Sequence, residues 1–80
     1  MLKISKKYDL RILKAVGFSY NEEQDAYYFD FNKDANNDSY RSFMYINQSR
    51  IINIDFVASE HKYELITLLY KLNYILEEVI

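Results

Sequence analysis

Residues 26–32 read Ala-Tyr-Tyr-Phe-Asp-Phe-Asn, and this stretch decides the fold class. Two sets of side chains alternate along it, namely Tyr27, Phe29 and Phe31 against Tyr28 and Asp30. A period of two is typical of a β-strand with one apolar face. The stretch therefore predicts an antiparallel sheet that is covered on one side and open on the other.

Further strands are predicted on both sides of this stretch. Phe18 and Tyr20 make a short strand before it, and the polar residues 21–25 form the turn between the two. After a polar loop, strands are expected over about residues 40–46 and 50–57. The last strand places Ile52, Ile54 and Phe56 on one face and Asn53 and Asp55 on the other.

Helical spacing of apolar residues appears at both ends of the chain. It runs from about Lys6 to Val16, where Gly17 follows as a helix stop, and again from Ser59, a favourable N-cap, to about Glu78. We expect a single α+β domain over residues 1–80, in the order α-β-β-β(-β)-α, with both helices on one face of an antiparallel meander. The main apolar stripe of the last helix is Leu65, Leu68, Leu69, Leu72, Leu76 and Val79.

Composition indicates an ordered protein without covalent or metal supports. Half of the 80 residues are hydrophobic and 18% are aromatic, with one glycine and no proline. The chain has no cysteine, one histidine and no apolar run near the roughly 18 residues of a membrane span. Its first residues also lack the apolar core of a signal peptide. We expect a cytoplasmic protein without cofactors.

The candidate catalytic and metal motifs are incomplete. Residues 30–38 carry oxygen-bearing side chains at alternate positions, as an EF-hand loop does, but Ala35 replaces its glycine and Arg41 its closing glutamate. The serine, acid and histidine at residues 59–61 are neighbours on one helical turn, so they do not converge as a catalytic triad does. Neither enzymatic activity nor metal binding is expected.

Charge is unevenly distributed along a chain whose net charge is −2. The first predicted helix is basic, whereas the hairpin after it is acidic. Such a hairpin can imitate phosphates and occupy the basic groove of a nucleic-acid-binding protein, because complementary fields orient an encounter. The predicted partner-binding residues of this acidic hairpin are Glu22, Glu23, Asp25, Asp30, Asp34 and Asp38.

Two further surfaces are predicted to bind partners. The open sheet face is expected to be rich in tyrosine and arginine, which are enriched at interface hot spots. The last helix has more apolar surface than one sheet face covers, which favours a homodimer. The open-face residues are Tyr28, Arg41, Phe43, Tyr45 and Asp55, and the dimer residues are Ile66, Tyr70, Asn73 and Tyr74.

These patterns favour a small non-enzymatic module that binds another protein. In size, element order and charge the chain resembles the small acidic α/β proteins that phages encode against host defence, including some anti-CRISPR proteins. The resemblance implies an inhibitor of a host protein such as a nucleic-acid-binding nuclease, and residues with AT-rich codons favour a phage or mobile-element source. No motif is shared, so the resemblance assigns a role to no residue.

Two alternatives stay open. The order α-β-β-β-α is that of double-stranded RNA-binding domains, although residues 59–62 lack the lysine cluster of that family and the chain lacks its proline-containing loop. A sequence pI of about 5.3 also disfavours a phosphate-binding surface. The second alternative is a structural or assembly subunit, which predicts self-association into a larger oligomer.

Overall fold

A computed structural model describes residues 1–32 and 42–78 of the chain. Its strands are β1 (Leu2–Ile4), β2 (Ser19–Asn21), β3 (Ala26–Asp30), β4 (Phe43–Asn47), β5 (Ile52–Asn53) and β6 (Leu76–Glu78). Helix α1 spans Lys62–Leu72, and 3-10 helices span Leu10–Val16, Ser59–His61 and Asn73–Ile75. Four residues with predicted roles, Asp34, Asp38, Arg41 and Val79, lie outside the described residues.

The central sheet is an antiparallel meander with the strand order β2-β3-β4-β5. Its register places Tyr27 opposite Ile46 and Phe29 opposite Met44, so these four side chains share one face. Tyr28 lies opposite Tyr45 on the other face. The predicted alternation along residues 26–32 and the predicted α+β class are both confirmed.

The core lies between one face of this sheet and the two main helical elements. Met44 and Ile46 from the sheet, Leu13 from the first 3-10 helix and Leu72 from α1 are all fully buried. They belong to one cluster with Tyr27, which is almost fully buried. Both helices therefore cover the same face, as expected, and none of the described elements forms a layer over the opposite face.

The first helix starts later than its spacing predicts. It begins at Leu10 rather than Lys6 and is a 3-10 helix, with Asp9 as its N-cap. The guanidinium of Arg50 donates to the backbone carbonyls of Ser5 and Tyr8, and the Ser5 carbonyl also accepts the Tyr8 amide in an isolated turn before the helix. Gly17 ends the helix at φ 108°, in the left-handed region that favours glycine.

The two ends of the chain form a second sheet that the sequence pattern missed. The prediction of a helix to Glu78 is wrong, because α1 ends at Leu72 and β6 pairs with β1. The amide of Ser5 donates to the carbonyl of Ile75, and Lys3 forms a salt bridge of 3.2 Å with Glu77. The backbone of residues 76–78 therefore pairs with the N-terminal strand and does not continue the helix.

The last strand of the meander is shorter than predicted. It ends at Asn53, where the side-chain Oδ1 accepts the backbone N–H of Asp55. The amide of Val57 then donates to the carbonyl of Ile54 at 3.1 Å, which closes a turn. Because of this turn, Phe56 does not share a face with Ile52, and the predicted alternation over residues 50–57 fails after residue 53.

Candidate functional site

The side of the sheet opposite the described helices carries a shallow depression of about 490 Å³ with aromatic walls. Tyr28 of β3 and Phe43 and Tyr45 of β4 lie there because their strand positions alternate with the core positions. Phe56 joins them from the turn after β5. We call these four residues the aromatic face.

Close ring contacts join Phe43, Tyr45 and Phe56 within the aromatic face. Phe43 and Phe56 are stacked with centroids 5.0 Å apart, and the ring of Tyr45 lies 6.2 Å from each of them. The Phe43 amide donates to the Phe56 carbonyl at 3.2 Å, and the Asn53 side-chain amide donates to the Tyr45 hydroxyl at 2.9 Å. The rings are therefore positioned before any ligand arrives, which lowers the entropy cost of binding.

The aromatic face is only partly shielded from solvent. Phe56 is 53% exposed, and the other three rings are half-buried. A contiguous exposed apolar patch is more informative than scattered apolar side chains, because it marks a surface that benefits from being covered. The remaining wall of the depression is polar and comes from Asn21, Gln24, Asp30 and Asn47.

Negative charge borders the depression. Asp30 is the register partner of Phe43, so the two side chains lie side by side on the open face. Glu22 and Glu23 are exposed in the β2–β3 turn, next to wall residues Asn21 and Gln24. No lysine or arginine within residues 1–32 and 42–78 lines this depression.

The predicted acidic hairpin is not one continuous row in the described part of the chain. Glu22, Glu23 and Asp25 lie at one end of β3 and Asp30 at the other, roughly 16 Å away at the rise of an extended strand. The Asp25 carboxylate accepts hydrogen bonds from the Tyr20 hydroxyl and the Gln48 amide. The hydrogen bond to Asp25 raises the pKa of the Tyr20 phenol. The Asp25 carboxylate is therefore engaged in hydrogen bonds within the protein itself.

Basic residues gather on the opposite side of the sheet. Lys6, Lys7, Arg11 and Arg50 line a polar depression of about 330 Å³ together with Tyr27, whose strand neighbour Tyr28 belongs to the aromatic face. The Arg11 guanidinium and amide donate to the Asp9 carboxylate and lower the pKa of that group to about 2. The basic and aromatic surfaces are therefore separated by the thickness of the sheet.

His61 has a partner that the sequence pattern did not indicate. Its Nδ1 lies 2.7 Å from Oγ of Ser42, which also accepts the backbone N–H of Ala58 at 2.9 Å. Ser42 is fully buried, so its hydroxyl cannot meet a substrate as a nucleophile would. The prediction of Ser59 as a side-chain N-cap is wrong, since Ala58 holds that position and no side chain caps the turn.

The predicted dimer residues lie on the exposed side of α1 and just beyond it. Ile66, Tyr70, Asn73 and Tyr74 are all exposed, and Tyr70 is 78% exposed. The first three border a depression of about 380 Å³ whose apolar lining is completed by Leu2, Leu69 and Leu76. Tyr74 instead makes an edge contact with Tyr8, with centroids 6.2 Å apart.

One open-face prediction needs correction, and another lies outside the described residues. Asp55 lies in the turn after β5 and not within a strand of the face, and Arg41 falls in the part of the chain that the structure does not describe. Phe56, which strand alternation assigns to the covered side, is a member of the aromatic face instead. The turn-forming pair Asn53 and Asp55 is the sequence signal that identifies this reversal.

Metal-binding clusters and membrane-spanning helices are both absent from the described residues. Among them no group of three or more His, Cys, Asp or Glu side chains is arranged to hold a metal ion. None of the helices within these ranges combines the length and apolar character that a bilayer crossing requires. No protein-family model, curated protein or solved structure gives a match to this chain.

Proposed function

We propose that this protein is a non-enzymatic module that binds another protein through its aromatic face. The observation that carries the proposal is the stack of Phe43 on Phe56 on the side of the sheet opposite the described helices. Tyrosine and phenylalanine are enriched at protein interfaces, and preorganised aromatic anchors give most of the binding energy there. The half-buried Tyr28 and Tyr45 extend the same surface.

A protein partner fits this surface better than a nucleic acid. Aromatic sheets that bind single strands combine stacking rings with a positive groove that follows the phosphates. Here Asp30 lines the aromatic depression, and the basic cluster of Lys6, Lys7, Arg11 and Arg50 lies on the other side of the sheet. A single nucleic-acid strand therefore does not meet both the stacking rings and the positive charges on one surface of this protein.

The same features support an inhibitory role. An acidic, aromatic surface is complementary to a basic groove, such as that of a nucleic-acid-binding enzyme of a host. We propose that the protein acts in the cytoplasm and occupies a basic surface of its partner.

Affinity capture from a lysate of the source cells tests this function with two matched variants. Phe56→Ser removes an exposed ring from the aromatic face, and Tyr63→Ser removes an exposed ring from α1. We expect the first variant to lose a protein that the unmodified chain captures after nuclease treatment, and the second to retain it. Retention of that protein by Phe56→Ser, or equal loss by Phe56→Ser and Tyr63→Ser, would overturn the proposal.

Self-association through α1 is a second candidate function. It is favoured by the exposed Ile66 and Tyr70 beside the apolar side chains of Leu2, Leu69 and Leu76. Gel filtration with light scattering at tens of micromolar protein tests it. A dimer that Tyr70→Ser dissociates is the expected result, and a monomeric unmodified chain rules this interface out.

A further inference from the structure

The aromatic face has a carboxylate built into it at one position. Asp30 and Phe43 are paired across β3 and β4, which places their Cβ atoms roughly 5 Å apart on the open side. Phe43 is in turn stacked on the more exposed Phe56. A negatively charged group therefore adjoins an exposed aromatic ring pair within one depression.

The position of this carboxylate is defined by the backbone. Oδ1 of Asp30 accepts the amide of Asn32 at 2.8 Å, an interaction that closes a short turn at the end of the strand. Phe56 is held by its carbonyl, which accepts the Phe43 amide. Separate backbone hydrogen bonds therefore fix the position of the ring pair and the position of the carboxylate.

An aromatic ring beside a carboxylate is the environment that a guanidinium group prefers. The guanidinium is planar and weakly hydrated, so it stacks on a ring while its N–H groups donate to carboxylate oxygens. A lysine ammonium is more strongly hydrated and does not stack in this way. A phosphate group is repelled by the same carboxylate.

We propose, on the basis of the protein-binding function above, that the aromatic face recognises an arginine side chain of an extended segment in the partner. The guanidinium stacks on Phe43, the register partner of Asp30, and donates to the Asp30 carboxylate. The segment follows β3 towards Ala26, which lies at the other end of the depression between its register partners Asn21 and Asn47. The distance from Asp30 to Ala26 suits about four extended residues.

The amides at the far end suit a polypeptide backbone. Asn21 and Asn47 flank Ala26 on the two neighbouring strands, and each side-chain amide has both a donor and an acceptor group. Side-chain Oδ1 of Asn21 already accepts the Gln24 amide, and that of Asn47 accepts the Ser49 amide. Their NH2 groups are donors for peptide carbonyls of the partner segment.

Binding of synthetic peptides tests the arginine site directly. The probes are acetyl-Ala-Arg-Ala-Leu-amide and the same peptide with lysine or citrulline in place of arginine, each titrated into isotope-labelled protein and followed by amide chemical shifts. We expect saturable shifts at Asn32, Phe43 and Phe56 with the arginine peptide. Citrulline keeps the shape of arginine without its charge. We expect it to bind about tenfold more weakly, because it cannot form a charge-assisted hydrogen bond to the carboxylate.

Two variants separate the site from charge in general. Asp30→Asn removes the charge and retains an acceptor for the Asn32 amide, so the turn is kept. Asp55→Asn removes an equal charge from an exposed turn residue next to Phe56. The arginine peptide is expected to bind Asp30→Asn about tenfold more weakly and Asp55→Asn within about twofold of the unmodified chain. Equal binding of all three peptides, or equal loss in both variants, would overturn the arginine site.

The lysate experiment distinguishes this inference from the function on which it rests. Loss of the captured protein with Phe56→Ser and its retention with Asp30→Asn would leave protein binding in place and remove the arginine site. Retention by both variants would remove both proposals. Saturable binding of a fluorescent oligothymidylate that Phe56→Ser abolishes would replace the arginine ligand by a nucleic acid.

Discussion

The rings of Phe43 and Phe56 lie parallel, with centroids 5.0 Å apart and planes inclined by only 5°. One ring belongs to a central strand and the other to the turn that follows β5. The turn carries Phe56 from the covered side of the sheet to the open side. This reversal converts a row of strand residues into a walled aromatic depression.

The first prediction concerns the stability of this stack. Phe56→Ala is expected to lower the free energy of unfolding by about 1 kcal/mol, because an aromatic pair contributes about 0.5–1.5 kcal/mol beyond burial and half of this ring is already exposed. Leu13→Ala, in the fully buried core, is expected to cost about 2–5 kcal/mol. Urea denaturation followed by circular dichroism measures both. An equal cost for the two variants would mean that Phe56 is a core residue.

The second prediction concerns the buried hydroxyl of Ser42. Ser42→Ala leaves the Ala58 amide and His61 Nδ1 without this partner, so the free energy of unfolding should fall by about 1–3 kcal/mol. A double-mutant cycle with His61→Ala should give a coupling of about 0.5–3 kcal/mol, since the two side chains are in contact. Additive effects of the two substitutions would contradict a direct hydrogen bond.

The third prediction concerns Gly17. Its φ of 108° is strained for any residue with a side chain, and an added Cβ would lie 3.2 Å from the ring of Phe29. A Gly→Ala change at a compatible position stabilises a protein by up to about 1 kcal/mol. At position 17 the change should instead destabilise the fold, and by more than that amount. Thermal unfolding provides the measurement. An unchanged or raised midpoint would show that the helix does not end in this left-handed conformation.

Several features of the fold follow directly from residue patterns. The alternation of Tyr27 and Phe29 with Tyr28 predicts both the strand and the face that each ring occupies, because β-strand side chains alternate without exception in a regular ladder. Gly17 likewise predicts where the first helix ends. In both cases the information is local to a few neighbouring residues.

Features that depend on distant partners could not be predicted in the same way. Residues 76–78 continue the leucine spacing of α1, and only their pairing with β1 makes them a strand. The bond from Ser42 to His61 joins two elements, although Ser42 does share the alternation of the buried Met44 and Ile46. The candidate site was predicted in part, through Tyr28, Phe43 and Tyr45, whereas Phe56 required knowledge of a turn.

The fourth prediction concerns pH and the Asp9 carboxyl. Hydrogen bonds from Arg11 lower its pKa from the ordinary 3.8 to about 2. A lowered pKa contributes stability that is present above about 3.8 and is lost as the pH falls through about 2. Carboxyl-carbon NMR should give a midpoint near 2 for Asp9, and Arg11→Gln should move it towards 3.8. An Asp9 titration midpoint that Arg11→Gln leaves unchanged would contradict the Asp9–Arg11 pair.

The fifth prediction concerns contact between the aromatic face and a partner protein, which position-specific photocrosslinking in the source cells measures most directly. p-Benzoylphenylalanine replaces Phe56 in one chain and Tyr63, an exposed α1 residue, in a matched chain. We predict that the residue at position 56 forms a nuclease-resistant adduct with a discrete protein and that the one at position 63 does not. The same adduct at position 63 alone, or none at position 56, would contradict protein binding by the aromatic face.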